Sequence, residues 1–195
     1  MPTPILSEVK IAVFGHSSAN PAGIAHLFGA LVVSSTETEC DLAIFTVNPA
    51  DGIDQKTIDD WEALNDRLVP RLVLVTELDE SESDFDDAVM LANRVFDKTV
   101  TPFLVLHNND GTACALISMQ DLSIIDYSVT PPQVIESDPD HKILVSEFQK
   151  EYLEEIELMG ENAFEAGLLF PAIPIWPDRE IGVDIVRKYI SRLAH

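Results

Sequence analysis

Gly15, His16, Ser17, Ser18 and Ala19 follow an apolar run, Ile11 to Phe14, and lead through Asn20, Pro21 and Ala22 into a helix-like run ending near Phe28. A strand, a tight glycine turn and a helix start make the geometry in which backbone N–H groups cradle a phosphate. The full phosphate-loop pattern is G-x-x-x-x-G-K-[ST]. Counted from Gly15, its second glycine position holds Asn20, its lysine position Pro21 and its hydroxyl position Ala22. Pro21 brings no charge, removes a backbone donor and fixes its own φ, and Ala22 cannot ligate a metal. No Lys or Arg lies between Lys10 and Lys56, so the stretch offers no local substitute cation. The frame for phosphate binding is present and its chemistry is missing.

The same residues admit a second chemistry. Gly15-His16-Ser17-Ser18-Ala19 approximates the nucleophile elbow G-x-S-x-G, with Ala in the last place. Ser17 would be the nucleophile if a histidine and an acid converged on it, and His141 and His195 follow in the required order. That fold puts several strands before its elbow, whereas about one precedes Ser17, so an unreactive Ser17 is expected. Metal ligation is weaker still. Asp138, Asp140 and His141 cluster, and His107 and Asp110 flank a turn, but neither group has a second ligand set at helical spacing. No metal site is expected.

The elements that must position these residues alternate along the chain. Leu42 to Val47 and Leu72 to Val75 are short apolar runs of the kind buried in parallel sheets. Between them Ile58, Trp61, Leu64 and Leu68 recur at helical spacing, with Pro70 as the stop. Ser83 or Asp84 is placed to cap a helix carrying Phe85, Ala88, Val89, Ala92, Val95 and Phe96. Phe103 to Leu106 and Ala113 to Ser118 read as strands around an Asp110-Gly111 turn. Residues 121–140, with Pro131, Pro132 and Pro139, read as an irregular connection, and Ile143 to Met159 as one helix. Leu168 to Ile175, interrupted by Pro171 and Pro174, is the last strand, before a helix carrying Val183, Val186, Ile190 and Leu193. Strands alternating with amphipathic helices define an α/β domain with a mainly parallel sheet. Residues 1–195 read as one such domain.

Composition narrows the function. The 46% hydrophobic and 24% charged content excludes a disordered chain. With 34 acidic residues against 12 basic ones the formal charge is -22, which repels nucleic acid and anionic membranes; a solvated acidic coat is the commoner reading of such charge, and a protein partner with a basic surface the other. No run approaches about twenty apolar residues, and the first ten residues lack the pattern of a signal peptide. Cys40 and Cys114, without paired spacing, suit a reducing, cytoplasmic setting.

Asp41 to Asp79 carries a more specific likeness. DLAIFTVNPADGIDQKTIDDWEALNDRLVPRLVLVTELD resembles the G domain of translational GTPases, nearest to elongation factor G. There a strand, an acidic-glycine turn, a Q-x-T helix start with a Trp, a Pro and a strand ending in NKxD follow in this order. The same register sets GHSSANPA on that family's GHSGAGKT loop and FPAIPIWPDREIGVDIV on its closing strand, SA-containing loop and helix. Residues 99–167 would then match the subdomain which that family inserts into its G domain. The resemblance implies a P-loop GTPase-like three-layer fold, shortened at the switch region.

The departures fall on the nucleotide motifs. NKxD is represented by Thr76, Glu77, Leu78 and Asp79, so Asp79 alone remains to pair with the base and Glu77 puts an anion where the family has a cation. The SA loop falls on Trp176-Pro177, where an indole could fill the base pocket. None of the eight glycines has Asp three places before it, so D-x-x-G is absent, and only Leu27 to Cys40 separates the first helix from the Asp41 strand. The expectation is a pseudo-GTPase that binds or scaffolds without GTP, cofactor or metal, its vestigial site marked by Gly15, Asn20, Pro21, Ala22, Thr76, Glu77, Asp79 and Trp176. A protein retaining weak GTP or GDP binding is the first alternative, and a serine hydrolase using Ser17 the second.

Overall fold

The apolar run after Lys10 is strand β1 (Ile11–Phe14), and its glycine turn delivers the chain to helix α1 (Pro21–Phe28). In a computed structural model describing residues 8–79 and 84–194, these are followed by β2 (Leu31–Val32), β3 (Leu42–Val47), α2 (Gln55–Ala63), β4 (Arg71–Val75) and α3 (Phe85–Val95). Next come β5 (Thr99–Val100), β6 (Phe103–His107), β7 (Ala113–Ser118), β8 (Ser123–Asp126) and β9 (Gln133–Glu136). Helices α4 (Pro139–Leu144) and α5 (Ser146–Met159), strand β10 (Phe170–Pro174) and helix α6 (Val183–Arg192) complete the order.

A six-stranded parallel sheet runs β2-β1-β3-β4-β10-β5, and a separate four-stranded antiparallel sheet runs β6-β7-β8-β9. The fold is the α/β, mainly parallel architecture read from the sequence. β1, β3, β4 and β10 are buried along their whole length, so their side chains split by strand period between two cores. Val13, Leu42, Ile44, Leu74 and Ile173 pack with Ile24 of α1 and Val186 of α6. Phe14, Ala43, Phe45, Val73 and Ala172 pack with Trp61 of α2 and Phe85, Ala88 and Ala92 of α3. Three layers result.

The second core holds a buried cation. Arg71 is 1% exposed, and its guanidinium lies 4.4 Å from the ring centres of both Trp61 and Phe170. Nη1 donates to the Trp61 carbonyl (3.1 Å) and Asn65 Oδ1 (2.7 Å). Burial, partly countered by Asp97, pulls its pKa down to about 10.

Several sequence expectations need correction. Residues 121–140 are not an irregular connection: β8 and β9 form there, because Ile124 and Ile125 can pair with β7 and β9 and bury against both neighbouring cores. The Ile143 to Met159 helix is two helices, broken at Val145, which leaves helical geometry while its side chain is buried against the antiparallel sheet. The helix expected to reach Pro70 stops at Ala63, and a short 3₁₀ turn, Asn65–Arg67, follows. Leu68 then sits at φ 49°, 53% exposed, off the apolar stripe. Leu168 and Leu169 precede the last strand and do not belong to it. Asp84 caps α3 in a reciprocal box with Asp87, while Ser83 lies outside the described residues.

Candidate functional site

The turn after β1 lies at the carboxyl end of the parallel sheet, where open α/β sheets place their ligands. Gly15 has φ 149°, and a Cβ built there would lie 2.1 Å from Thr46 Oγ1 on β3. Only glycine allows the turn to press so closely on the neighbouring strand. The chain then winds through a 3₁₀ turn, Ser17–Ala19, and enters α1 through Asn20 at φ 52°.

Four donors of this turn are turned inward on the chain itself. Ser18 N–H donates to His16 Nδ1 (3.2 Å), Ala19 N–H to the His16 carbonyl (3.0 Å) and Asn20 N–H to the Ser17 carbonyl (3.1 Å). Asn20 Oδ1 accepts the Gly23 N–H (3.1 Å), so the side chain at the second glycine position caps the helix over the place a phosphate would take. Pro21 has no N–H to offer. From the other side, Asn48 Nδ2 donates to the Ser18 carbonyl (3.0 Å) and Thr76 Oγ1 to the Ala19 carbonyl (2.9 Å). The turn is thereby pinned to the ends of β3 and β4. Ala22 is exposed on the first turn of the helix.

His16 turns to Ser18, whose Oγ lies 2.9 Å from Nδ1. Of the two histidines that the Ser17 hydrolase alternative draws on, His141 stands on α4 with its N–H on Asp138, and His195 lies outside the described residues. Of the metal candidates, Asp138 caps α4 by accepting the His141 N–H (2.8 Å). Among the described residues no three His, Cys, Asp or Glu side chains converge as a metal site would require.

The structure brings Asp79 and Trp176 together across 97 positions of chain. Trp176, 7% exposed, donates from Nε1 to Asp79 Oδ1 (2.9 Å). Arg179 Nη2 donates to both Asp79 oxygens at 2.9 Å, and its Nη1 donates to the Ala113 carbonyl on β7 (2.8 Å). The guanidinium also lies 5.5 Å from the Trp176 ring centre. The carboxylate that the resemblance assigns to the base is thus held by two side chains of the closing loop. Glu77, two residues before it, adopts φ 56°. Arg179 was legible in the sequence only as the cation three residues after Trp176, and nothing in that spacing announced its partner. Thr46 and Asn48 were equally silent, because their partners are set by strand register, whereas His16 reaches only Ser18, two residues on.

This geometry defines the class: a three-layer α/β domain with a mainly parallel sheet, consistent with a P-loop GTPase-like fold, its first glycine turn at the carboxyl end of the sheet. No family model matches the chain. Its sequence is 24% identical over 184 residues to an elongation factor G-like protein of Mycobacterium tuberculosis, in strains CDC 1551 / Oshkosh and H37Rv, covering 82% of this chain and 25% of those proteins. The relationship to elongation factor G-like proteins is distant, and the chain spans about a quarter of the length of the curated relatives it matches. A crystal structure of a protein from Thermus thermophilus superposes with a TM-score of 0.63 at 24% identity, covering 80% of this chain and 27% of that one. That likeness shows the fold.

Proposed function

We propose that this chain is a pseudo-GTPase module: a distant elongation factor G-like domain that presents protein-binding surface and no longer binds or hydrolyses GTP. One observation carries the reading. The N–H groups of Ser18, Ala19, Asn20 and Gly23 are all satisfied within the turn, where a phosphate loop would leave them aimed at the ligand. A triphosphate would have to displace those bonds with no side-chain cation between Lys10 and Lys56 to assist it. Helix-dipole contacts supply about 0.3–2 kcal/mol per charge, against roughly 8 kcal/mol for micromolar affinity. The absent D-x-x-G supports loss of hydrolysis as well.

Calorimetry should detect no GTP or GDP binding at about 100 μM nucleotide, with or without Mg²⁺, an affinity worth less than roughly 5.5 kcal/mol. Restoring Asn20→Gly, Pro21→Lys and Ala22→Thr together should still give no phosphate release, since no switch remains to place water. Tight binding by the natural chain would overturn the proposal. Binding that appears only in Arg179→Ala would show that freeing Asp79 is enough to restore a site, and would favour a weak nucleotide-binding protein instead.

A further inference from the structure

Beside the Asp79–Arg179 pair a cleft of about 880 Å³ opens between the N-terminus of α3, the β6–β7 hairpin and the α4–α5 junction. Its floor is apolar. Leu104 and Leu106 stand on one face of β6, half-buried, and Phe85 of α3, Val145 at the α4–α5 break and Phe148 of α5 line the cleft with them. Strand period explains the opening: Val105 points the other way into the main cores, so its neighbours face a side that α5 covers only in part. Leu144 and Phe148, which line the cleft, and Ile143 beside it are 74%, 48% and 74% exposed. Contiguous exposed apolar surface of this kind marks an interaction site.

The rim supplies the chemistry of the partner. Asp84, Asp86 and Asp110 stand exposed around the floor, while the cleft's Arg179 is already paired with Asp79. Partial burial and the carboxylates of Asp84 and Asp87 push the Asp86 carboxyl up, a sign of concentrated negative potential. An apolar floor with an acidic rim complements a helix carrying apolar residues on one face and Lys or Arg on the other.

We propose that this cleft docks a basic amphipathic helix of a protein partner, with Leu104, Leu106 and Phe148 receiving its apolar face and Asp84, Asp86 and Asp110 its cations. The proposal rests on reading the chain as a binding module, and it stands or falls without regard to nucleotide. The probe is a fluorescein-labelled peptide of about 15 residues with leucine on one helical face and lysine on the other, titrated by anisotropy at physiological salt. A second peptide keeps every lysine and replaces leucine by serine. Phe148→Ser and the pair Asp86→Asn, Asp110→Asn should each weaken the leucine-lysine peptide by about tenfold or more. Glu151→Gln with Glu154→Gln, on the same helix outside the cleft, should change it less than twofold, and thermal melting checks that each variant is folded. Should Phe148→Ser lose its fold, Leu144→Ser is the second variant, since that side chain is 74% exposed. Equal affinity for the two peptides, or equal weakening by the cleft and the Glu151/Glu154 changes, would reduce binding to the general acidic coat and overturn the proposal. So would sedimentation showing a dimer dissociated by Phe148→Ser, which would assign the cleft to a second copy of the chain. Nucleotide calorimetry on the same samples keeps failure of the docking site distinct from failure of the pseudo-GTPase reading.

Discussion

The glycine turn after β1 and the cleft beside α3 are built in opposite ways. The turn from Gly15 to Gly23 is largely closed on itself: the N–H groups of Ser18, Ala19, Asn20 and Gly23 pair inside the turn, and the Ser18 and Ala19 carbonyls are held by Asn48 and Thr76 from the ends of β3 and β4. The cleft between α3, β6 and α5 is left open, with leucines and a phenylalanine half-covered and aspartates in water. Where the turn meets the sheet its polar groups must satisfy one another, as the buried Thr76 hydroxyl and Ala19 carbonyl do, since an unsatisfied buried group costs about 1–3 kcal/mol. An apolar cleft carries no such obligation and can stay open, at the cost of exposed surface. The contrast is why the docking proposal falls on the cleft beside the antiparallel sheet and not on the turn after β1.

The largest effect that would test this contrast comes from Gly15→Ala. The added methyl would meet Thr46 Oγ1 at 2.1 Å in backbone that L side chains rarely adopt. A stability loss of about 3 kcal/mol is expected, while Leu144→Ser in the cleft should change stability by no more than about 0.5 kcal/mol. Urea melts of the two variants make the comparison, and an unchanged midpoint for Gly15→Ala would break it. Next in size is Asn20→Ala, which removes the cap on Gly23 and places alanine in left-handed backbone. A loss of about 1–2 kcal/mol is expected. Asn20→Gly should lose less, because glycine accepts that backbone, and equal losses would show that the cap rather than the backbone dominates.

The smallest effect sharpens the other side. Asp121 accepts from Ser123 Oγ (2.7 Å) and Ser123 N–H (3.0 Å) in the turn that joins β7 to β8. These bonds hold its carboxyl below the ordinary value of 3.8. A carboxyl depressed by folding adds stability above its unfolded value and loses it as pH falls through the folded one. The natural chain should therefore lose stability below about pH 4 more steeply than Asp121→Asn, and parallel acid melts would contradict this.

Much of the parallel half was legible without coordinates. β3 and β4 are short, apolar and bounded by turn residues, and such runs have few ways to bury both faces except inside a parallel sheet covered by helices. The missing charge of the phosphate turn was equally visible, because Pro21 and Ala22 lack the groups whatever their surroundings. β8 and β9 were not visible. Four-residue strands with Pro131 and Pro132 between them carry little period of their own, and they exist because β7 offers an edge to pair with.

The residue types of this chain therefore determined its layered architecture and the absence of a lysine and a hydroxyl at Pro21 and Ala22, since periodicity and side-chain inventory are local properties. Tertiary structure alone decided where the remaining polar groups went. Thr76 reaches the Ala19 carbonyl 57 positions away, and Arg179 and Trp176 close on Asp79 from 100 and 97 positions away. The open cleft belongs to the same class, because its floor and rim come from α3, β6, the hairpin turn and α5. Partners so distant in the chain are chosen by strand register and layer packing, and no window of sequence records either.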